Sequence, residues 1–260
     1  MRSWLHSCSV FHWALCLSFL FSLPALAAVP VVQRFVTEEF PPYSQWHDGQ
    51  LEGPMEAILQ QVCVRMGWRC QTTVMPWRRA LRMMDQHLAD GIYVVMDIPA
   101  RRAAMHVSLP VLQGRYSLYG REESPWRYAG PASLAGLQIA AYGPSATEYA
   151  LDQLLRGVPA QKLEELDNLT AMSKLARRRY GRDGLVFIND DVAAWLIRQN
   201  AYSGLVLKAA IQPIQYCFGL SRRWSENEIR RFNATLSQLC VSGDTERIAK
   251  RYGLHAAPCH

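Results

Sequence analysis

The chain has 260 residues, half of them apolar, with 28 Lys and Arg against 22 Asp and Glu and a formal net charge of +6. That apolar content is ample for real hydrophobic cores. The positive excess is too small and too scattered to point to nucleic acid, and its densest run, Arg177-Arg178-Arg179, reads as the solvated end of a helix.

The first residues set the compartment. Arg2 gives a short positive start, Trp4 to Leu26 is apolar apart from a few Ser and His, and Ala25-Leu26-Ala27 has the small-x-small pattern of a cleavage site. Residues 1–27 are therefore expected to be a signal peptide, cut after Ala27 or Ala28, and the mature chain periplasmic. Pro24 and the small residues beyond it argue against a membrane anchor, as does the absence of a basic stop-transfer cluster. Neither Cys8 nor Cys16 follows a convincing lipobox. No later stretch approaches the ~20 apolar residues of a membrane span, so no insertion is expected after cleavage. About 230 residues remain, room for one large domain or two small ones.

The remaining cysteines, Cys63, Cys70, Cys217, Cys240 and Cys259, are an odd set in a compartment where disulfides form. No spacing among them matches a zinc site and the histidines are scattered, so neither metal nor cofactor is expected.

Strand and helix signals alternate along the chain, which predicts an α/β architecture with largely parallel sheets. Val31–Val36 reads as a strand. Gly53–Gly67 reads as a helix with Met55, Ile58, Leu59 and Val62 on one face. A strand over Arg69–Met75, a helix from Pro76 to about Gln86 and a buried strand over Gly91–Met96 follow. After a crossing near Gln113–Gly120 come a strand at Leu137–Tyr142 and helices at Ser145–Leu155 and Leu169–Arg179. Next are a short buried strand at Leu185–Ile188 and a helix at Asp190–Gln199. Strands at Leu205–Ala209 and Ile214–Leu220 precede two closing helices, Ser225–Cys240 and Asp244–Tyr252.

At Phe40-Pro41-Pro42-Tyr43-Ser44, followed by Asp48-Gly49 and Gly53, the order of features resembles the family 3 periplasmic binding proteins, the polar amino acid receptors of ABC importers. Four more segments carry the resemblance: Cys63 to Cys70 with Trp77 beyond it, Asp90 to Arg102, Gly184 to Asp190 with the helix start after it, and the run from Phe218 to Gly253. The likeness implies two α/β lobes of the type II binding-protein fold, two doubly wound sheets joined by a two-strand hinge. Lobe 1 would hold 29–113 and 211–260, and lobe 2 would hold 114–210. It also implies a Cys63–Cys70 disulfide, like that of the lysine/arginine/ornithine and histidine receptors. A Cys217–Cys240 pair is the second choice, leaving Cys259 over, with Cys240–Cys259 open.

By the same likeness, a small polar ligand would sit between the lobes. Phe40, Tyr43, Trp77, Asp97 and Arg102 would come from lobe 1, and Gly143, Ser145 and Asp190 from lobe 2. The chemistry is sound for each. Arg102 offers a fork of donors that matches a carboxylate bidentately, with Arg101 as its neighbouring alternative. Trp77 can stack on a ligand or simply pack with Ala80, Leu81 and Met84. Asp190 can meet an amino group or cap its helix, with Asn189 as the near alternative. Ser145 can cap a helix whose free backbone donors suit an anion. Val94, Val95 and Asp97 stand where the amino acid receptors usually have Ser or Thr, so an acidic group near aromatics points toward a cationic ligand. The implied function is a monomeric, non-enzymatic receptor that closes on its ligand and presents it to an ABC permease. Two alternatives remain. One is a sensor for a signalling partner. The other is an enzyme resembling the periplasmic cyclohexadienyl dehydratases, for which Glu38, Glu39 and Asp97 are the candidate acids.

Overall fold

The computed structural model describes residues 31–259. The expected signal peptide lies outside them. The chain enters as β1 (Val31–Thr37), makes a small hairpin of β2 (Gln45–His47) and β3 (Gln50–Glu52), and continues through α1 (Pro54–Met66), β4 (Trp68–Val74) and α2 (Trp77–Asp85). β5 (Gly91–Val95), the short α3 (Pro99–Ala104) and β6 (His106–Val107) come next. The long strand β7 (Leu112–Arg121) leads through a 3-10 turn, Pro131–Leu134, into β8 (Gln138–Tyr142), α4 (Ala146–Leu154), β9 (Gln161–Glu165) and α5 (Asn168–Ala176). Then follow β10 (Leu185–Asn189), α6 (Asp190–Gln199), the second long strand β11 (Leu205–Leu220), α7 (Glu226–Val241), α8 (Asp244–Arg251) and β12 (His255–Ala256).

The strand order is β4-β1-β5-β11-β7-β10-β8-β9. β1 lies parallel to β4 and β5, and β8 lies parallel to β9 and β10. Each parallel set is wound on by helices, as crossover connections require. The antiparallel pair β7 and β11 joins them: the start of β11 pairs with β7, and its end, from Cys217, pairs with β5. These two strands are the hinge of a two-lobed α/β molecule.

Local sequence explains the elements. α1 has Pro54 in its first turn and ends on Gly67 in the left-handed region at φ 70°, where a residue with a Cβ is strained. Its buried face is Met55, Ile58, Leu59, Val62 and Met66. Ser225 and Glu228 form a capping box at the start of α7, which buries Phe232, Leu236 and Leu239. All five residues of β10 are buried, the run expected of a strand covered on both faces.

Some expectations change. β11 is one strand through Pro213, with register shifts between Leu207 and Ala209 and between Ala210 and Gln212. One edge of β11 lacks a strand partner until Cys217, and at such an edge a proline is tolerated. The cationic run follows a shorter helix than expected: α5 stops at Ala176, and Arg177, Arg178 and Arg179 are exposed beyond it. Asp190 does not cap α6. Asn189, extended at the end of β10, does so, its Oδ1 accepting from the amides of Asp191 (2.7 Å) and Val192 (3.1 Å).

Cys63 and Cys70 are bonded, tying the end of α1 to β4. The Cys217–Cys240 pair does not form. Cys240 bonds Cys259, fastening the last residues to α7, and Cys217 is free and buried within β11. Burial, then the charge of Asp97, pushes the Cys217 thiol up to about 12.

Candidate ligand cleft

In open α/β sheets ligands bind beyond the carboxyl ends of the parallel strands. Here those ends come from both lobes and converge. β1 delivers Glu38 and Phe40, the end of β4 leads through Met75 and Pro76 to Trp77, and β5 delivers Val94 and Met96. From the other lobe, β8 delivers Tyr142, the turn after it delivers Ser145, and the first turn of α4 delivers Thr147. The cleft has a narrow inner pocket of about 30 Å³ and an outer chamber of about 640 Å³. Glu38, Phe40, Trp77 and Tyr142 line both, so the two are continuous.

Arg101, on α3, lines the inner pocket, its guanidinium carbon 5.7 Å from the centre of the Trp77 ring. It is partly buried, and no carboxylate of the described residues comes within ion-pair distance of it. Burial lowers its pKa, with the charge of Asp85 opposing. A desolvated cation lying on an aromatic face, with its forked donors uncommitted, is suited to an incoming carboxylate. Val94, at the pocket wall, has φ 63°, a strained conformation for a β-branched residue of the kind that collects at functional sites.

Glu38 is the acidic counterpart. The Tyr142 hydroxyl donates to its Oε2 at 2.9 Å, a bond that crosses from one lobe to the other. Burial raises the Glu38 pKa to about 7; the Tyr142 bond works against that rise and the charge of Asp167 adds to it. Arg78 and Glu164 make a second contact across the cleft, at 3.1 Å. On the other side of the inner pocket, Thr147 donates to the Tyr116 hydroxyl at 2.9 Å, and that hydroxyl donates to Met96 Sδ at 3.0 Å.

Behind the pocket lies a buried hinge network. Tyr43 donates to Asp191 Oδ2 at 2.6 Å, and the Asn189 side-chain amide donates to the Tyr43 and Tyr216 hydroxyls at 3.1 and 3.2 Å. Tyr43 also packs on Phe40 and Tyr216, with ring centroids 5.7 and 4.7 Å away. Gly114 permits this approach: a Cβ there would lie 2.8 Å from both the Asn189 amide and the Tyr43 hydroxyl. Burial raises the Tyr43 and Asp191 pKa values, most of all through desolvation.

Of the residues expected in the site, Phe40, Trp77 and Ser145 line the cleft. Ser145 also caps α4, accepting from the amides of Thr147 and Glu148. Tyr43 is in the hinge rather than on the cleft wall. Asp97 and Arg102 pair with each other at 2.5 and 2.6 Å; Arg102 is exposed, and Asp97 lines a separate hollow with Gln113 and Gln215. Gly143 lines neither cavity, and its amide donates to the Glu165 carbonyl at 3.0 Å. Asp190 forms an ion pair with Arg115 at 2.5 Å. Arg101, the alternative to Arg102, joins the lining, as do Tyr116, Tyr142, Thr147 and Trp195, which the sequence did not single out as ligand contacts. Helix geometry is the reason for the arginine: consecutive residues point about 100° apart, and no spacing tells which of Arg101 and Arg102 turns inward.

These features describe a two-lobed α/β protein with a cleft beside its hinge. Residues 33–255 match the bacterial extracellular solute-binding proteins, family 3, and the chain belongs to that family. No curated protein matches the sequence. Among solved structures, a histidine kinase sensor domain similar to periplasmic binding proteins is 19% identical, with 88% of this chain and 98% of that one covered and a TM-score of 0.77. An ancestral arginine-binding protein bound to arginine is 15% identical, with 85% and 98% covered and a TM-score of 0.75. An amino acid ABC transporter substrate-binding protein from Streptococcus pneumoniae, bound to L-arginine, is 17% identical, with 85% and 94% covered and a TM-score of 0.71. At these identities the likeness is one of fold. No helix of the described residues is long and apolar enough to cross a membrane.

Proposed function

We propose that this protein captures a small amino-acid-like carboxylate between its lobes, divided near 113/114 and 210/211, and delivers it to an ABC importer. The observation that carries the reading is Arg101: half-buried, unpaired, and laid on Trp77 at the converging strand ends. Arg101 takes the ligand's carboxylate, and Trp77 and Phe40 supply the apolar walls. Glu38 takes the amino group, the part assigned by resemblance to Asp190, which Arg115 already occupies. Contacts from both lobes to one ligand favour the closed arrangement, and a permease reads that shape.

A thermal-shift screen of the protein, stripped of ligand by unfolding and refolding, tests the reading. An amino acid at a hundred times its dissociation constant adds about 2.7 kcal/mol of stability. Stabilisation by amino acids with no chemical turnover supports a receptor. Co-purification with a membrane kinase rather than a permease would make it a sensor. Glu38, a cleft acid with a pKa of about 7, supports the second reading, a dehydratase-like enzyme. Product formed from prephenate or arogenate would establish that one instead.

A further inference from the structure

Past Phe40, Trp77 and Tyr142 the cleft opens into the outer chamber, whose volume of about 640 Å³ lies in the range of pockets that enclose drug-sized ligands. Its wall is largely apolar on both sides. β4 ends there with Val74, followed by Met75, while Leu166, Leu169 and Trp195 face them from the other lobe. Leu166 and Leu169 are 80% and 48% exposed, so large apolar side chains stand in water at the chamber's rim. The charge on the wall has one sign. Glu38, Glu39 and Asp167 contribute carboxylates, and no Lys or Arg of the described residues lines the space. Asp167 is fixed there as the cap of α5, accepting from the Thr170 amide at 2.6 Å.

We propose that the ligand is an amino acid with a bulky apolar arm, neutral or cationic at its far end, and that this arm occupies the outer chamber. The inference rests on Arg101 as the carboxylate anchor, since that contact fixes which way the arm points. A compact polar amino acid would leave the leucines and Trp195 wet. An apolar arm removes that surface from water, the main favourable term in pocket binding. An anionic arm would meet the Glu39 and Asp167 carboxylates with no Lys or Arg of the described residues in the chamber lining to offset them.

Calorimetry on the refolded protein would compare alanine, phenylalanine, biphenylalanine, para-aminomethylphenylalanine and para-carboxyphenylalanine. Affinity should tighten by about tenfold or more from alanine to phenylalanine and hold or rise for biphenylalanine. The aminomethyl compound should match or exceed phenylalanine, and the carboxy compound should fall below it by about tenfold. Trp195→Ala and Leu166→Gln should each shrink the phenylalanine-to-alanine ratio. A flat series, or one that favours alanine or the carboxy compound, overturns the inference; if Arg101→Ala still abolishes binding of those compounds, the anchor stands. Binding of none of them, or binding indifferent to Arg101→Ala, overturns both.

Discussion

Arg102 directs both Nε and Nη2 to Asp97, whereas its neighbour Arg101 keeps its donors for the cleft. An exposed pair such as Asp97–Arg102 contributes little to stability, so Arg102→Ala should leave both folding and ligand affinity nearly unchanged. Arg101→Lys should bind ligand markedly less well than wild type, because an ammonium cannot reproduce a planar fork. Glu38 gives a pH signature. Its folded pKa, about 7, lies above the ordinary 4.5, so its contribution to stability is complete below about 4.5 and is lost as pH rises through about 7. Relative to Glu38→Gln, the ligand-free wild type should therefore lose melting temperature across that window; a constant difference would contradict the assignment. Tyr116, Tyr142, Tyr216, Asp167, Glu39 and Arg101 line the same cleft, with the Arg78–Glu164 pair across it, and all are present in both proteins. A ligand's ammonium favours the ionised Glu38, so affinity for amino acids should rise with pH through the same region.

Elements legible in the sequence were those whose burial is periodic or continuous. α1 and α7 show one apolar face, and β10 is apolar from Leu185 to Ile188. β9 was not legible, because Gln161–Glu165 is polar and sits at the sheet edge, where no face demands an apolar pattern. The site followed the same division. Phe40, in a proline-marked turn, and Trp77, which opens α2 after Pro76, could be placed; the choices between Arg101 and Arg102 and between Asn189 and Asp190 depend on rotation by one residue, which only packing fixes. Asn189 joins β10, α6 and the hinge. Asn189→Ala should cost about 1–3 kcal/mol in denaturant unfolding, from the lost cap and the two tyrosine bonds. The tail is held in a comparable way. Cys240 and Cys259, 19 residues apart, close a loop worth roughly 3 kcal/mol, so the double serine variant should unfold earlier by that amount. Non-reducing peptide maps should show Cys217 alkylated only after unfolding.

At the scale of the whole molecule, β7 and β11 carry both lobes on one antiparallel pair; Tyr43–Asp191, Asn189–Tyr43 and Tyr116–Met96 tie the lobes at the hinge, and Glu38–Tyr142 and Arg78–Glu164 join them across the cleft. The exposed Arg78–Glu164 pair is weak, and Glu38–Tyr142 is a single part-buried bond across the cleft mouth, so the lobes should open about the hinge network without ligand and close on it. Scattering in solution should show a smaller radius of gyration when ligand is added, and Tyr142→Phe should enlarge the ligand-free value. The central claim is that a carboxylate ligand is held at Arg101 between the lobes. The most direct measurement is calorimetry of a ligand found by the screen, on refolded wild type, Arg101→Ala and Arg102→Ala. Binding lost in the Arg101 variant and kept in the Arg102 variant is the predicted result; the reverse, or binding kept in both, would contradict it.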